Sequence, residues 1–338
     1  MALKNGLQYK YRAGVCTIVT LRPQAWAGAQ RAPGEKSHAC VFQKVLRNTK
    51  MRFTLQLGFA RYPDYQHIAR TAETAGFSSI GLPDSFFFPK DSESEYPYAD
   101  TSMIRGYIEA MPFIEPLVAM SWMAAVTERI RLYPSVLKVP TRQPLVLAKA
   151  LSSLAVLCHE RLLLGAGLSP WKEDFTYNGV TFEKRGKLMD ECIAILRGAM
   201  SGEYFEYHSE NYDFGPMKMH PVPSRPVPII VGGHSKPALQ RAARLGDGWV
   251  SANTDFATLK GLIGELDAQR LAAGTRARVD FEIHGFDMAA QSVADFRRLG
   301  DLGVTDACVA PWGFDPTAAL AVQLDGIRRF GDEIIARL

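Results

Sequence analysis

Along residues 51–338, short apolar runs alternate with longer stretches in which apolar residues recur every three to four positions. Residues 53–59 read as a strand. Residues 65–75 read as a helix with Ile68, Ala69, Ala72 and Ala75 on one face, stopped by Gly76. Residues 79–82 form a second strand, and a polar loop rich in Ser, Tyr and Pro follows over 83–112. The pattern then predicts a helix over 116–127, a strand over 130–137, a helix over 145–157, a strand over 161–165 and a helix over 185–200. Residues 204–214 read as a polar β insertion. Strands at 228–231, 248–250, 281–286 and 307–310 then alternate with helices at 237–245, 256–272, 293–299 and 317–335. Eight βα units require parallel strands with right-handed crossovers. They predict an α/β fold, a (β/α)8 TIM barrel with insertions after strands two and four, with an open doubly wound sheet as the alternative. In a barrel the chemistry belongs at the C-terminal strand ends.

Composition narrows the picture. Apolar residues are 47% and charged residues 22%, as in ordinary globular chains. No apolar run approaches the ~20 residues that span a bilayer. The net charge of +4 is unevenly placed. Residues 1–50 hold nine basic side chains and one acid, Glu35, hence +8, which leaves −4 for the remainder. This basic segment shows no secretory pattern and no periodicity beyond residues 15–21. The expectation is an N-terminal appendage outside the fold, read from an upstream start, with Met51 opening a single barrel domain at 51–338. Cys16, Cys40, Cys158, Cys192 and Cys308 are scattered, with no CxxC, which points to a reducing, cytoplasmic setting without disulfides or zinc.

Several strand ends carry candidate chemistry. Strand two ends in Asp84-Ser85-Phe86-Phe87-Phe88, suited to a pocket for a flat, partly polar ring; a turn cap and core phenylalanines are the alternative. Ser135 and Val136 at the end of strand three are uninformative alone, and Lys138 at the rim is placed to meet an anion or solvent. Gly165 and Gly167 let a ligand approach main chain, without the third glycine and distal acid of a dinucleotide fingerprint. Trp171 would wall a pocket or cover the barrel mouth. Gly232-Gly233-His234-Ser235 runs directly into a helix and reads as an anion cradle, with Ser235 as the cap. His67, His159, His208, His220, His234 and His284 show no metal-binding spacing and no accompanying acids. Scattered Lys and Arg argue against nucleic acid.

The order of these motifs resembles the bacterial luciferase-like family of flavin-dependent monooxygenases and coenzyme F420-dependent oxidoreductases. The resemblance rests on AETAGFSSI at 72–80, AVTERIRL at 125–132, QPLVLAK at 143–149, RLLLGAG at 161–167, EKRG at 183–186, and Asp190-Glu191. It is strongest over GGHS at 232–235 through AARLGDGW at 242–249. It implies an oxidoreductase with a tricyclic ring at the barrel mouth. Asp84 and Ser85 would lie beside the ring as the best catalytic candidates, although many deazaflavin-dependent members carry His at the place of Ser85. Ser135-Val136 falls where members have a non-prolyl cis peptide against the ring. Gly165 and Gly167 would admit the cofactor, Gly232, Gly233, His234 and Ser235 would hold its phosphate, and Phe86, Phe87 and Trp171 would line the substrate pocket. Some members place a carboxylate soon after the strand-four glycines; here Glu173 and Asp174 follow Pro170. The cofactor expectation is coenzyme F420, with FMN and oxygen chemistry as the alternative and a non-catalytic flavin-binding barrel behind both. The expected partners are a small-molecule substrate and a second copy in a homodimer, without metal, nucleic acid or membrane.

Overall fold

The structure, a computed structural model, describes residues 9–12, 15–18, 51–313 and 315–338. The chain divides into two compact units, Met1–Lys44 and Val45–Leu338. In the first, β1 (Tyr9–Arg12) pairs antiparallel with β2 (Val15–Ile18). The rest of the basic segment expected as an appendage lies outside the described residues.

The second unit is built on parallel strands. These are β3 (Arg52–Gln56), β4 (Ser79–Leu82), β5 (Arg131–Pro134), β6 (Leu137–Lys138) and β7 (Leu164–Gly167), then β10 (Ile229–Gly232), β11 (Gly248–Val250), β12 (Glu282–Gly285) and β13 (Asp306–Val309). Their order is β5-β4-β3-β13-β12-β11-β10-β7-β6. The two ends of this sheet meet through a parallel bridge between Leu132 and Leu162, with Leu132 N–H donating to Arg161 and Leu163 N–H donating to Leu132, both at 3.0 Å. The result is the expected (β/α)8 barrel. β4, β7 and β13 are buried along their whole length, as parallel strands covered on both faces are.

The helices follow the strands in turn. They are α1 (Tyr65–Thr74), α2 (Thr101–Ala110), α3 (Pro116–Ala124), α4 (Pro144–Leu157), α5 (Glu173–Thr176), α6 (Arg185–Ala199), α7 (Lys236–Leu245), α8 (Phe256–Ala272), α9 (Val293–Asp301) and α10 (Leu320–Glu333). Proline in the first turn of α3, α4 and α7 suits positions whose N–H has no helical acceptor. The polar insertion at 204–214 is a hairpin of β8 (Phe205–His208) and β9 (Asp213–Met217), which follows α6.

Two expectations need correction. The loop over 83–112 contains helix α2, started by Asp100, whose carboxylate accepts the Met103 N–H at 2.8 Å. None of its residues is buried, so it lacks the core-facing stripe that marks a helix in sequence. The single strand expected over 130–137 is split into β5 and β6 at Ser135-Val136. Among the described residues, no helix is long and apolar enough to cross a membrane.

Candidate active site at the barrel mouth

A cavity of about 310 Å³ opens where β4, β5, β7, β10 and β11 end. It gathers Asp84 and Ser85 from just beyond β4, Ser135 and Val136 from the break after β5, Gly167 from the end of β7 and Trp171 from the segment that follows. Gly232, Gly233 and Ser235 enter from the β10–α7 turn. Residues far apart in sequence therefore share one pocket.

The Ser135-Val136 peptide is cis, as the resemblance implies. Ser135 N–H donates to Leu82 at 2.6 Å, and Gln56 donates to the Ser135 hydroxyl at 3.3 Å, so the break is tied to β4 and β3. The Val136 side chain projects toward two glycines. A Cβ on Gly167 would lie 2.2 Å from Val136 Cγ2, and one on Gly232 would lie 2.9 Å from Val136 Cγ1. Gly165 differs from its expected role. It is buried outside the cavity wall, and its missing side chain makes room for the Pro134 carbonyl, 1.9 Å from where a Cβ would stand.

Asp84 is fully engaged. Its Oδ2 accepts from Lys138 N–H and Arg142 Nη1, both at 2.8 Å, and its Oδ1 accepts from Arg142 Nη2 at 3.0 Å. A bidentate guanidinium pair with a 1% exposed carboxylate holds geometry. The sequence reading of Asp84 as a catalytic group becomes that of a brace across the break. Ser85 lines the cavity with no hydrogen-bond partner for its hydroxyl among the described residues.

Lys138, expected to be solvated or to meet a free anion, is instead buried. Its Nζ lies 2.6 Å from Asp174 Oδ2, with side-chain exposures of 10% and 2%. The same Asp174 oxygen accepts the Ser169 hydroxyl, whose oxygen in turn accepts the Trp171 N–H at 3.1 Å. Lys138 and Ser169 both face the cavity. The acid after the strand-four glycines is thus Asp174, which sequence spacing left undistinguished from Glu173.

The β10–α7 turn, expected to cradle an anion, opens on the cavity through Gly233 and Ser235. Gly233 has φ +117°, a conformation side chains rarely adopt, and its carbonyl accepts the Trp249 indole N–H at 2.8 Å. The backbone N–H groups of Gly233 and Ser235 have no partner among the described residues. Ser235 is the cap residue by position, but its side chain makes no capping bond, contrary to expectation, which leaves its hydroxyl to the cavity. His234 Nε2 accepts the Ala252 N–H at 2.9 Å, which places the proton on Nδ1. Burial lowers its pKa, so the ring is neutral. His234 thus supports the turn from behind the cavity wall.

The aromatic wall is only partly the expected one. Trp171 lines the cavity and stacks against Tyr96 at 6.2 Å. Phe86 and Phe87 do not line it. Phe86 lies with its ring over the Arg142 guanidinium at 4.3 Å, and Phe87 is exposed and stacks on Tyr177. Their places are taken by Tyr96, Tyr98 and Tyr107 from the loop and α2. The Tyr98 ring lies 4.5 Å from that of His234, and the His234 backbone N–H interacts with the Tyr98 phenol oxygen. A cradle donor is therefore already used by a residue of the loop.

A second polar cluster sits at the strand N-termini. His284 is accompanied by acids after all. Glu282, His284 and Asp306 bring ligating atoms within 4.8 Å of one another. Both carboxylates are taken by arginines: Arg131 bridges Glu282 at 2.8 Å and Asp306 at 3.1 Å, and Arg52 binds Asp306 at 2.6 Å. Burial alone would lower the His284 pKa, but Asp306, Cys308 and Glu282 outweigh it and raise it to about 9. This is an ion-pair network in the barrel floor.

Fold and cavity together define an α/β barrel with an open cavity at its C-terminal mouth. The sequence profile of the luciferase-like monooxygenases matches residues 44–300, so the chain belongs to that family. An uncharacterized protein of Mycobacterium tuberculosis is 41% identical over 292 residues, covering 85% of this chain and all of the relative. The monooxygenase RslO1 of Streptomyces bottropensis superposes with a TM-score of 0.66 at 16% identity, over 85% of this chain and 99% of that one. The coenzyme F420 dependent tetrahydromethanopterin reductase of Methanopyrus kandleri superposes with a TM-score of 0.64 at 15% identity, over 86% and 99%.

Proposed function

We propose that the protein is an oxidoreductase that binds coenzyme F420 at the barrel mouth and passes hydride to or from a small organic substrate. The observation that carries this reading is the β10–α7 turn. It offers the free N–H groups of Gly233 and Ser235, the Ser235 hydroxyl and the positive end of α7, all beside the cavity. These groups fit a phosphate. Gly232, Gly233 and Ser235 would hold it, while Val136, braced through Asp84 and Arg142, would meet the ring. The bound deazaflavin would supply the hydride chemistry, and the chain supplies position and a pocket walled by Tyr96, Tyr107 and Trp171.

Charge favours the deazaflavin over FMN. Among the described residues, the cavity wall offers no unpaired cation, since Lys138 is held by Asp174 and Arg241 by Asp190. A cradle of dipoles suits the single charge of the F420 phosphodiester better than a phosphate monoester, which carries about −1.5 to −2 at neutral pH. An FMN-dependent monooxygenase is the second reading, supported by the fold shared with RslO1. The test is a fluorescence titration of the purified protein with each cofactor. Saturable F420 binding with weak FMN binding supports the proposal. Tight binding of FMN alone replaces it with the monooxygenase, and binding of neither removes both.

A further inference from the structure

We propose that Lys138 is the residue that meets the substrate's oxygen, and that the mouth takes an uncharged carbonyl compound, or the matching alcohol, in preference to an acid or a phosphate ester. For its redox partner this rests on the deazaflavin reading above; for substrate class it rests on the charges of the wall.

Lys138 is pinned at both ends. Its backbone N–H is held by Asp84 at 2.8 Å, and its Nζ by Asp174 at 2.6 Å. It stands two residues beyond the cis peptide, on the cavity wall. An ammonium has three donors; Asp174 Oδ2 takes one and the Phe86 ring lies 5.4 Å from Nζ, which leaves a donor for a ligand. The charges in and behind this wall are paired: Asp84 with Arg142, Lys138 with Asp174, and Arg241 with Asp190. An anionic substrate would bring an uncompensated charge into a half-dry site and compete with Asp174 for the same ammonium. A carbonyl oxygen accepts an N–H from Lys138 and adds no charge. The rest of the substrate would face Tyr96, Ile104, Tyr107, Ile108 and Phe113, which suits an apolar or aromatic body.

The chemistry balances. In the reducing direction, a bound reduced deazaflavin would supply hydride to the carbonyl carbon, and the C–O π electrons would pass to oxygen. Lys138 Nζ gives that oxygen its proton. The carbonyl is reduced to an alcohol, the deazaflavin is oxidised, and the amine left at Lys138 is reprotonated from solvent. The reverse reaction would use the same groups: Nζ, having released a proton to solvent, would take the hydroxyl proton as hydride leaves carbon for a bound oxidised deazaflavin, which would be reduced.

The test uses the protein without cofactor, so that its outcome is independent of the cofactor reading. Acetophenone and benzoate share a ring and differ in charge, and their binding is followed by calorimetry and Trp fluorescence. Acetophenone should bind at least about tenfold more tightly than benzoate, and Lys138→Met should weaken acetophenone by about tenfold, as loss of a charged hydrogen bond does. Asp174→Asn leaves the Lys138 charge uncompensated and should reverse the preference toward benzoate, which a purely structural lysine would not do. Equal or tighter benzoate binding by the unmodified protein overturns the proposal, as does binding of neither probe. It is also overturned if acetophenone affinity survives in Lys138→Met, or if a folded Asp174→Asn keeps the original preference.

Discussion

Val136 fills the space that a side chain at Gly167 would need: its Cγ2 stands 2.2 Å from where a Gly167 Cβ would lie. The glycine at the end of β7 is therefore a packing partner of the break after β5. Gly167→Ala should destabilise the protein by about 1–3 kcal/mol, the usual cost of overpacking a rigid site. Val136→Ala in the same chain should recover part of that loss. Thermal denaturation of the two single variants and the double variant measures the coupling. Additive losses would show that the two residues do not compete for one volume.

The barrel floor should make the stability of the protein depend on pH. His284 is completely buried, with its Nε2 2.8 Å from Glu282 and its Nδ1 3.2 Å from the Tyr133 hydroxyl, and its pKa is raised to about 9. A raised histidine pKa contributes stability that is complete below the unfolded value near 6.5 and is lost as pH rises through the folded value. The contribution is of order 3 kcal/mol. The melting temperature should fall between about pH 6.5 and 9, and His284→Gln should flatten that slope while lowering stability at pH 6. An equal slope in both proteins would place the sensitivity elsewhere.

Tyr98 occupies a backbone donor of the proposed phosphate cradle. Its phenol oxygen takes the His234 N–H and lies close to Gly233. A ligand that uses the same donor must displace it. Tyr98→Phe removes the competitor, and F420 should bind more tightly by roughly 2–10-fold, the worth of one net hydrogen bond. Weaker binding in Tyr98→Phe would mean that the hydroxyl remains in place and itself contacts the ligand. Equilibrium titration distinguishes the two.

The barrel was legible because βα alternation is a local property, written in apolar runs and amphipathic stretches. The Gly232–Ser235 turn was legible for the same reason: Gly233 is required by its own φ, and the helix follows at once. What escaped depends on closure. Lys138 ends β6 and Asp174 follows β7, so they meet only once β6 lies beside β7. The His284 network needs side chains from β3, β5, β12 and β13. Helix α2 turns Ile104, Tyr107 and Ile108 toward a cavity, so its apolar face carries no core signature. The aromatic run after β4 pointed to the right end of the barrel but to the wrong rings. Arg142 engages both Asp84 and Phe86, an arrangement spacing cannot show.

Ser235→Asp tests the cradle most directly. Asp is as good a helix cap as Ser, and its charge is favourable at the N-terminus of α7, so the variant should fold with unchanged or slightly raised stability. Its carboxylate would occupy the phosphate seat and repel the cofactor. The measurement is the dissociation constant for F420 in the two proteins by fluorescence titration. The expected result is a loss of at least about tenfold in affinity, given like charges a few ångströms apart. Unchanged affinity in a folded Ser235→Asp protein would contradict the assignment of Gly232–Ser235 as the phosphate site.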